Sequence, residues 1–327
     1  MPVYNAAAYV AEAVQSILDQ TFSDFELLII DDGSTDPSLQ VIQAFNDSRI
    51  RLIRNETNLK LIATLNKGLE HARGKYIARM DADDVSTPER LAVQVAFMEK
   101  NPEVGVCGSW FETFGNGKKI VRYPEKDADI RLMLLYQTPF CHPAVLFRKA
   151  LFDQYHTRFN PEFVHAEDYE VWVRLADKTR FANIPRVLLR YRIHPGSVSS
   201  THTFVQQRNT LSIIRQAFQK AGTTVNEEEI ALFRDVAYSH FRSDTEFILA
   251  AERLLLRLIA GNQKTHFIPE QTLIQFATGK WYHLCYNSLP ANRGAWHIYR
   301  KSGLYRMGEK KLLPELKFLV KTLFPKN

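Results

Sequence analysis

Two short acidic clusters stand where carboxylates can do chemistry. The first, Asp31-Asp32-Gly33-Ser34-Thr35-Asp36, follows the apolar run Phe25 to Ile30; the second, Asp81-Ala82-Asp83-Asp84, follows Tyr76 to Met80. Each has an ordinary structural reading, since Asp-Asp-Gly-Ser makes a good turn and Asp36 a good helix N-cap. Asp-x-Asp is likewise common in loops. As a pair they say more. If both apolar runs are strands of one open α/β sheet, both clusters lie beyond strand carboxyl ends, where such sheets bind ligands. Four or more carboxylates then converge on one crevice, and like charges repel unless a hard cation or a donor-rich ligand lies between them. The pattern points to a divalent metal.

The elements that must position these clusters are legible. Phe25 to Ile30, Ile50 to Ile53, Tyr76 to Met80 and Val104 to Cys107 are short apolar runs, separated by segments long enough for crossover helices. That rhythm predicts an α/β fold with a largely parallel sheet. Asp36-Pro37 opens one helix; Thr87-Pro88 opens another that runs to about Lys100, before Asn101-Pro102. After Ser200 strand patterns vanish. Helices are expected at 203–221, ended by Gly222; at 227–241, capped by Asn226; and at 244–260, with Ser243 and Glu246 as a capping box and Gly261 as the stop. A domain boundary is expected near residue 200, giving units 1–200 and 201–327.

Several segments in fixed order carry a resemblance. Met1-Pro-Val-Tyr-Asn5, Ser16 to Phe22 (SILDQTF), Phe25 to Asp36 (FELLIIDDGSTD), Gly74 to Ile77 (GKYI) and Asp81 to Asp84, followed by Pro88-Glu-Arg-Leu91, together resemble an inverting family 2 glycosyltransferase of bacterial type. The similarity covers about residues 1–200. It implies a GT-A, Rossmann-like fold of mostly parallel sheet flanked by helices, here followed by an α-helical C-terminal region. It also implies a nucleotide-sugar donor, UDP-linked, and a glycan or lipid-linked acceptor of cell-surface polysaccharide synthesis. Asp32 would accept hydrogen bonds from the nucleotide base, with Pro2, Val3 and Tyr4 lining the same pocket. Asp81, with Ala82 beside it, would face the ribose, and Asp83 would ligate Mg²⁺ or Mn²⁺ on the diphosphate, which would act as the leaving-group acid.

The resemblance extends downstream. Glu167-Asp168, within His165 to Trp172 (HAEDYEVW), matches a Glu-Asp pair at the acceptor site, with Asp168 in the place of the general base. Read as plain sequence, the pair is an exposed helix start, since acids favour a first turn. Trp172 reads as core or as a wall beside Asp168. Tyr191 to Ser199 resembles a segment closing over the diphosphate, where Arg192 would pair with phosphate and His194 would be a further metal ligand. His142, in Pro139 to Arg148, shapes the acceptor side without assigned chemistry. A single base opposite a metal-assisted leaving group implies inversion. The Gln-x-x-Arg-Trp signature of processive relatives is missing, so one sugar per encounter is expected.

Two features depart from the family. Relatives carry an apolar strand before Pro-x-Tyr-Asn, whereas this chain begins at Met1. Such a strand is buried on both faces and each of its aliphatic side chains is worth roughly 1.5–3 kcal/mol, so the expectation is a native start further upstream or a truncated form. Lys60, in Asn58-Leu-Lys-Leu61, stands where relatives have glycine. A catalytically impaired nucleotide-sugar-binding or scaffold protein of the same fold is therefore the alternative. An Asp-x-Asp phosphatase is disfavoured because Val85 stands where that chemistry expects threonine.

Composition agrees. The 327 residues are 45% hydrophobic and 24% charged, as in globular proteins. Cys107, Cys141 and Cys285 form neither a disulfide framework nor a zinc motif. No 18-residue apolar run or signal peptide is visible, which reads as cytoplasmic. The net charge of +6 resides entirely in residues 300–327, which hold eight basic and two acidic groups. That tail argues against a nucleic-acid-binding body. From Pro314 it reads as a basic amphipathic helix, with Leu316, Leu319, Val320, Leu323 and Phe324 on one side and Lys317 and Lys321 on the other, suited to the cytoplasmic face of an anionic membrane. Packing of the apolar row on residues 200–300 is the alternative.

Overall fold

Apolar residues at helical spacing, Val10, Ala13, Val14 and Ile17, bury one face of α1 (Val10–Leu18). They pack against β1 (Pro2–Val3) and β2 (Leu27–Asp31), whose near-continuous apolar sequence suits a strand covered on both faces. A computed structural model describes residues 1–194, 203–289, 292, 294–308 and 312–323. Residues 195–199 and Phe324 lie outside them.

The chain continues through α2 (Ser38–Gln43), β3 (Ile50–Arg54), α3 (Leu61–His71), β4 (Tyr76–Ala78), β5 (Val85–Ser86), α4 (Arg90–Lys100), β6 (Val104–Phe114) and β7 (Ile120–Val121). Then come α5 (Asp127–Met133), a 3₁₀ turn at His142–Ala144, β8 (Leu146–Arg148), α6 (Lys149–Gln154), α7 (Glu167–Leu175) and β9 (Arg180–Arg192). Strands β1, β2 and β3 pair in parallel, with Val3 opposite Asp31 and Asp31 opposite Arg54. A second sheet has the order β4-β8-β6-β9-β5, with β7 on β6. Its long β6–β9 ladder is parallel, and its other pairings are antiparallel. The strands that precede the two acidic clusters, β2 and β4, lie in different sheets and not in the one open sheet that the sequence implied.

Among the described residues no strand pairs with the amino-terminal half of β2 on the β1 side; there the Met1 amino group donates to Leu28 O at 2.9 Å. A cavity of about 590 Å³ lies between β2 and β4, lined largely by apolar side chains such as Leu27, Leu65, Leu69, Ile77 and Phe147.

Arg90, fully buried at the start of α4, fixes the strand run that leads into the second cluster. Its guanidinium donates to Arg79 O (2.7 Å), Ser86 Oγ (3.0 Å) and Gln94 Oε1 (3.1 Å). Burial pushes its pKa down to about 10, and these acceptors offset the desolvation.

The backbone forms two compact units, Met1–Ile130 with Thr138–Thr210, and Arg131–Gln137 with Leu211–Asn327. Beyond residue 203 it is helical: α8 (Thr203–Lys220), α9 (Glu227–Tyr238), α10 (Thr245–Thr265), α11 (Glu270–Ser288), α12 (Ala295–Lys301), α13 (Gly303–Met307) and α14 (Leu312–Leu323). Asn226 forms the expected cap, with Glu229 completing a capping box. The helix expected to run to 241 ends at Tyr238, and two further details differ from expectation. Asp244, not Ser243, caps α10, accepting from Phe247 N at 2.7 Å. Gly261 does not end that helix, which continues to Thr265. Gly261 instead meets the Gly222 turn, where any Cβ would collide with the facing backbone carbonyl. Glycine serves close approach here, not termination.

Candidate active site

The first cluster is held by backbone donors. Asp32, buried at the end of β2, accepts from Leu59 N (2.9 Å) and Asn55 Nδ2 (2.8 Å) on one carboxylate oxygen and from Lys60 N (2.9 Å) on the other. Its own amide donates to Val3 O at 2.7 Å, so Pro2 and Val3 are fixed beside it, whereas the Tyr4 side chain is exposed. Asp31 Oδ1 accepts from Ser34 N, closing the turn. Gly33 makes that turn possible: its φ is +71°, and a Cβ would lie 2.8 Å from the Thr57 carbonyl carbon.

The second cluster is electrostatically frustrated. Single carboxylate oxygens of Asp81, Asp83 and Asp84 lie within 4.8 Å of one another, with Ala82 buried between. Asp84 is 1% exposed; one oxygen accepts from Arg192 N at 2.9 Å, and the other is buried without a hydrogen-bond partner. Burial, then the charges of Asp81 and Asp83, push its pKa up to about 8. Asp81 pairs with Arg79, itself buried, while its own burial raises its pKa. Asp83 Oδ2 meets His194 Nε2 at 3.0 Å, and its carbonyl accepts from Arg192 Nε at 2.7 Å. The Arg192 guanidinium also pairs with Glu12 and lies over the rings of Tyr9 and Phe114. Tyr9 in turn contacts the His194 ring, 4.9 Å between centroids.

Glu167 and Asp168 open α7. An exposed helix start does not describe them: Glu167 is 5% exposed, and its Oε2 has no hydrogen-bond partner. Burial first and Asp168 second push Glu167 up to about 7; burial also raises Asp168, which is half-buried. Arg79 lowers both, and Asp81 raises both, so the pair shares one electrostatic neighbourhood with the second cluster. Trp172 is core, edge-on to Phe140 at 5.5 Å. His142 is buried with Nε2 unpartnered, and desolvation together with Arg79 keeps it neutral.

The structure thus brings together Asp81, Asp83, Asp84, Arg192 and His194, and couples Glu167 and Asp168 to them. Arg79, Tyr9 and Glu12 were missed by sequence reasoning. Arg79 had a signal, a cation inside the apolar run Tyr76 to Met80; Tyr9 and Glu12 had only their shared helix face.

The sequence profile described as glycosyl transferase family 2 matches residues 1–155. An uncharacterized glycosyltransferase of Haemophilus influenzae is 33% identical over 226 residues, 65% of this chain and 70% of that one. The Escherichia coli UDP-Glc:alpha-D-GlcNAc-diphosphoundecaprenol beta-1,3-glucosyltransferase WfgD is 31% identical over 204 residues, 61% of this chain and 78% of that one. Among solved structures, S. aureus TarS 1-349 in complex with UDP-GlcNAc superposes with a TM-score of 0.60 at 20% identity, covering 85% of this chain and 88% of that one. That likeness establishes a GT-A-like fold. With the profile match and these relatives, the chain belongs to glycosyl transferase family 2.

Proposed function

We propose that this chain transfers one sugar from a UDP-linked donor to a hydroxyl of a glycan or lipid-linked acceptor, inverting the anomeric centre, in synthesis of a cell-surface polysaccharide. The observation that carries this reading is the placement of two acidic groups, Asp81-Asp83-Asp84 and Glu167-Asp168, in one electrostatic neighbourhood. Support for the donor and acceptor classes comes from the UDP-GlcNAc that TarS binds and the diphosphoundecaprenol-linked acceptor in the name of WfgD.

The residues fit a divalent cation. Asp84 keeps a buried, unpartnered oxygen beside two further carboxylates, a donor set of hard oxygens. Asp83 and His194 would hold Mg²⁺ or Mn²⁺, which when bound supplies positive charge that stabilises the departing diphosphate. In this reading Asp32, with Pro2, Val3 and Tyr4, binds the nucleoside; Asp81 and Ala82 line the ribose side; and Arg192 orients the loop carrying Asp83 and pairs with phosphate. Asp168 takes the proton of the acceptor hydroxyl as its oxygen attacks the anomeric carbon opposite the diphosphate. Burial first, and the charge of Asp81, raise its basicity.

The test is turnover of a nucleotide-sugar panel, with acceptor glycolipids, in Mn²⁺ or EDTA. Release of nucleoside diphosphate should vanish in EDTA and in Asp83→Ala, and fall about 10²–10⁴-fold in Asp168→Asn. Proton NMR of the product should show the opposite anomer to the donor. Binding of UDP-sugars without release by the unmodified chain would favour the impaired scaffold; undiminished turnover in Asp168→Asn would remove that residue as base.

A further inference from the structure

The last described helix carries its apolar row outward. Among the described side chains of α14 the buried one is Phe318, enclosed by Tyr282, Tyr286, Trp296 and Tyr299, with ring centroids 4.9 to 5.8 Å away. Lys321 lies on that same side: its ammonium donates to Tyr286 O at 2.9 Å and sits 4.0 Å from the centre of the Tyr286 ring. At 3.6 residues per turn, Leu316 and Val320 fall about 160° from Phe318, on the opposite face, and Leu319 about 100° away, on the flank between. Leu316, Leu319 and Val320 are 55%, 37% and 48% exposed. Met307, closing α13, is 46% exposed. For these described members of the row, packing onto the helices before it does not hold, because Phe318 and the Lys321 stem occupy that interface instead.

Charge selects the occupant. Exposed Arg300, Lys301, Arg306 and Lys317 lie in the same segment, and residues 300–327 carry the entire net charge of +6 while the rest of the chain is neutral. A second copy docking through the same face would set +6 against +6. An anionic bilayer satisfies both features, taking the aliphatic row at the acyl boundary and the basic groups among its head groups. We propose that α14 is a membrane-surface helix that seats the C-terminal helical unit on anionic lipid through Leu316, Leu319 and Val320, with Phe318 as its inward anchor. The proposal stands independently of the assignment of catalytic residues.

The experiment is flotation of the full chain with vesicles of phosphatidylcholine alone and with about 30 mol% phosphatidylglycerol. The expected result is binding to the anionic vesicles only, weakened by salt. The Leu316→Glu/Val320→Glu double variant, with Phe318 intact and an unchanged thermal transition, should lose at least about tenfold in partitioning, and Lys317→Glu/Arg306→Glu should lose a smaller factor. Failure of the unmodified chain to float overturns the proposal, as does equal binding of the double variant. So does light scattering that shows a dimer which Leu316→Glu/Val320→Glu dissociates, because the face would then pair copies.

Discussion

Arg79 is a buried guanidinium that faces carboxylates from two distant parts of the chain. It pairs with Asp81, and its charge lowers the pKa of Asp84, Glu167 and Asp168 against the upward pull of burial. If Asp168 must be ionised to accept the acceptor proton, activity rises with pH through the titration of the Glu167-Asp168 pair, and the pair's macroscopic behaviour is what a rate profile reads. Glu167 stands at about 7. The acid limb of kcat/KM should therefore lie well above the usual carboxylate value of about 4. Arg79→Met should move that limb alkaline by about one unit or more, and Arg79→Lys should return most of the shift. A limb at ordinary carboxylate pH, or one that Arg79→Met leaves in place, would refute this coupling. Asp81 and Asp84 were legible because their cluster directly follows an apolar run, and Glu167 and Asp168 only through the family resemblance. Arg79's role was not, because its partners at 167 and 168 come near only through the fold.

At the scale of elements, the junction between β3 and α3 shows a side chain where the backbone asks for none. Lys60 has φ 74° and ψ 162°, a region that glycine alone occupies without strain. Its amide is drawn there by the Asp32 carboxylate, which it meets at 2.9 Å, while its side chain points to solvent. Lys60→Gly should keep that hydrogen bond and relieve the strain, raising unfolding free energy by about 1 kcal/mol after the extra chain entropy of glycine is counted. Denaturant unfolding reads this, and UDP titration of the same variant tells whether the ammonium contributes to donor binding. Destabilisation by the glycine would mean that the Lys60 side chain makes contacts that outweigh the strain. The lysine was visible in sequence as a departure from relatives, but its φ was not. The same limit governed Gly261: a glycine at a helix end and a glycine at a close crossing look alike until the facing backbone is known.

For the whole molecule, the distribution of charge was readable from sequence, while the side of α14 that turns inward was not, since an amphipathic pattern specifies two faces and not which neighbour each one meets. The crevice poses the complementary question of how its acidic groups coexist. With Asp81, Asp83 and Asp84 crowded together, burial and mutual repulsion push the Asp84 pKa up to about 8, and the Arg79 charge offsets only part of that. A divalent cation at the same place, and the diphosphate it attracts, should each strengthen the binding of the other by one common factor, because such coupling is reciprocal. Thermal unfolding with Mn²⁺, with UDP and with both should show the combined stabilisation exceeding the sum of the separate ones. At about a hundred times its Kd a single ligand adds about 2.7 kcal/mol, enough for a shift of several degrees. Asp83→Ala should abolish the Mn²⁺ shift and the excess over additivity, while uridine, which lacks the phosphates, should stabilise both proteins equally through the Asp32 side of the crevice. Strict additivity of Mn²⁺ and UDP in the unmodified chain would place the two ligands at independent sites and break the link between the acidic cluster and the donor diphosphate.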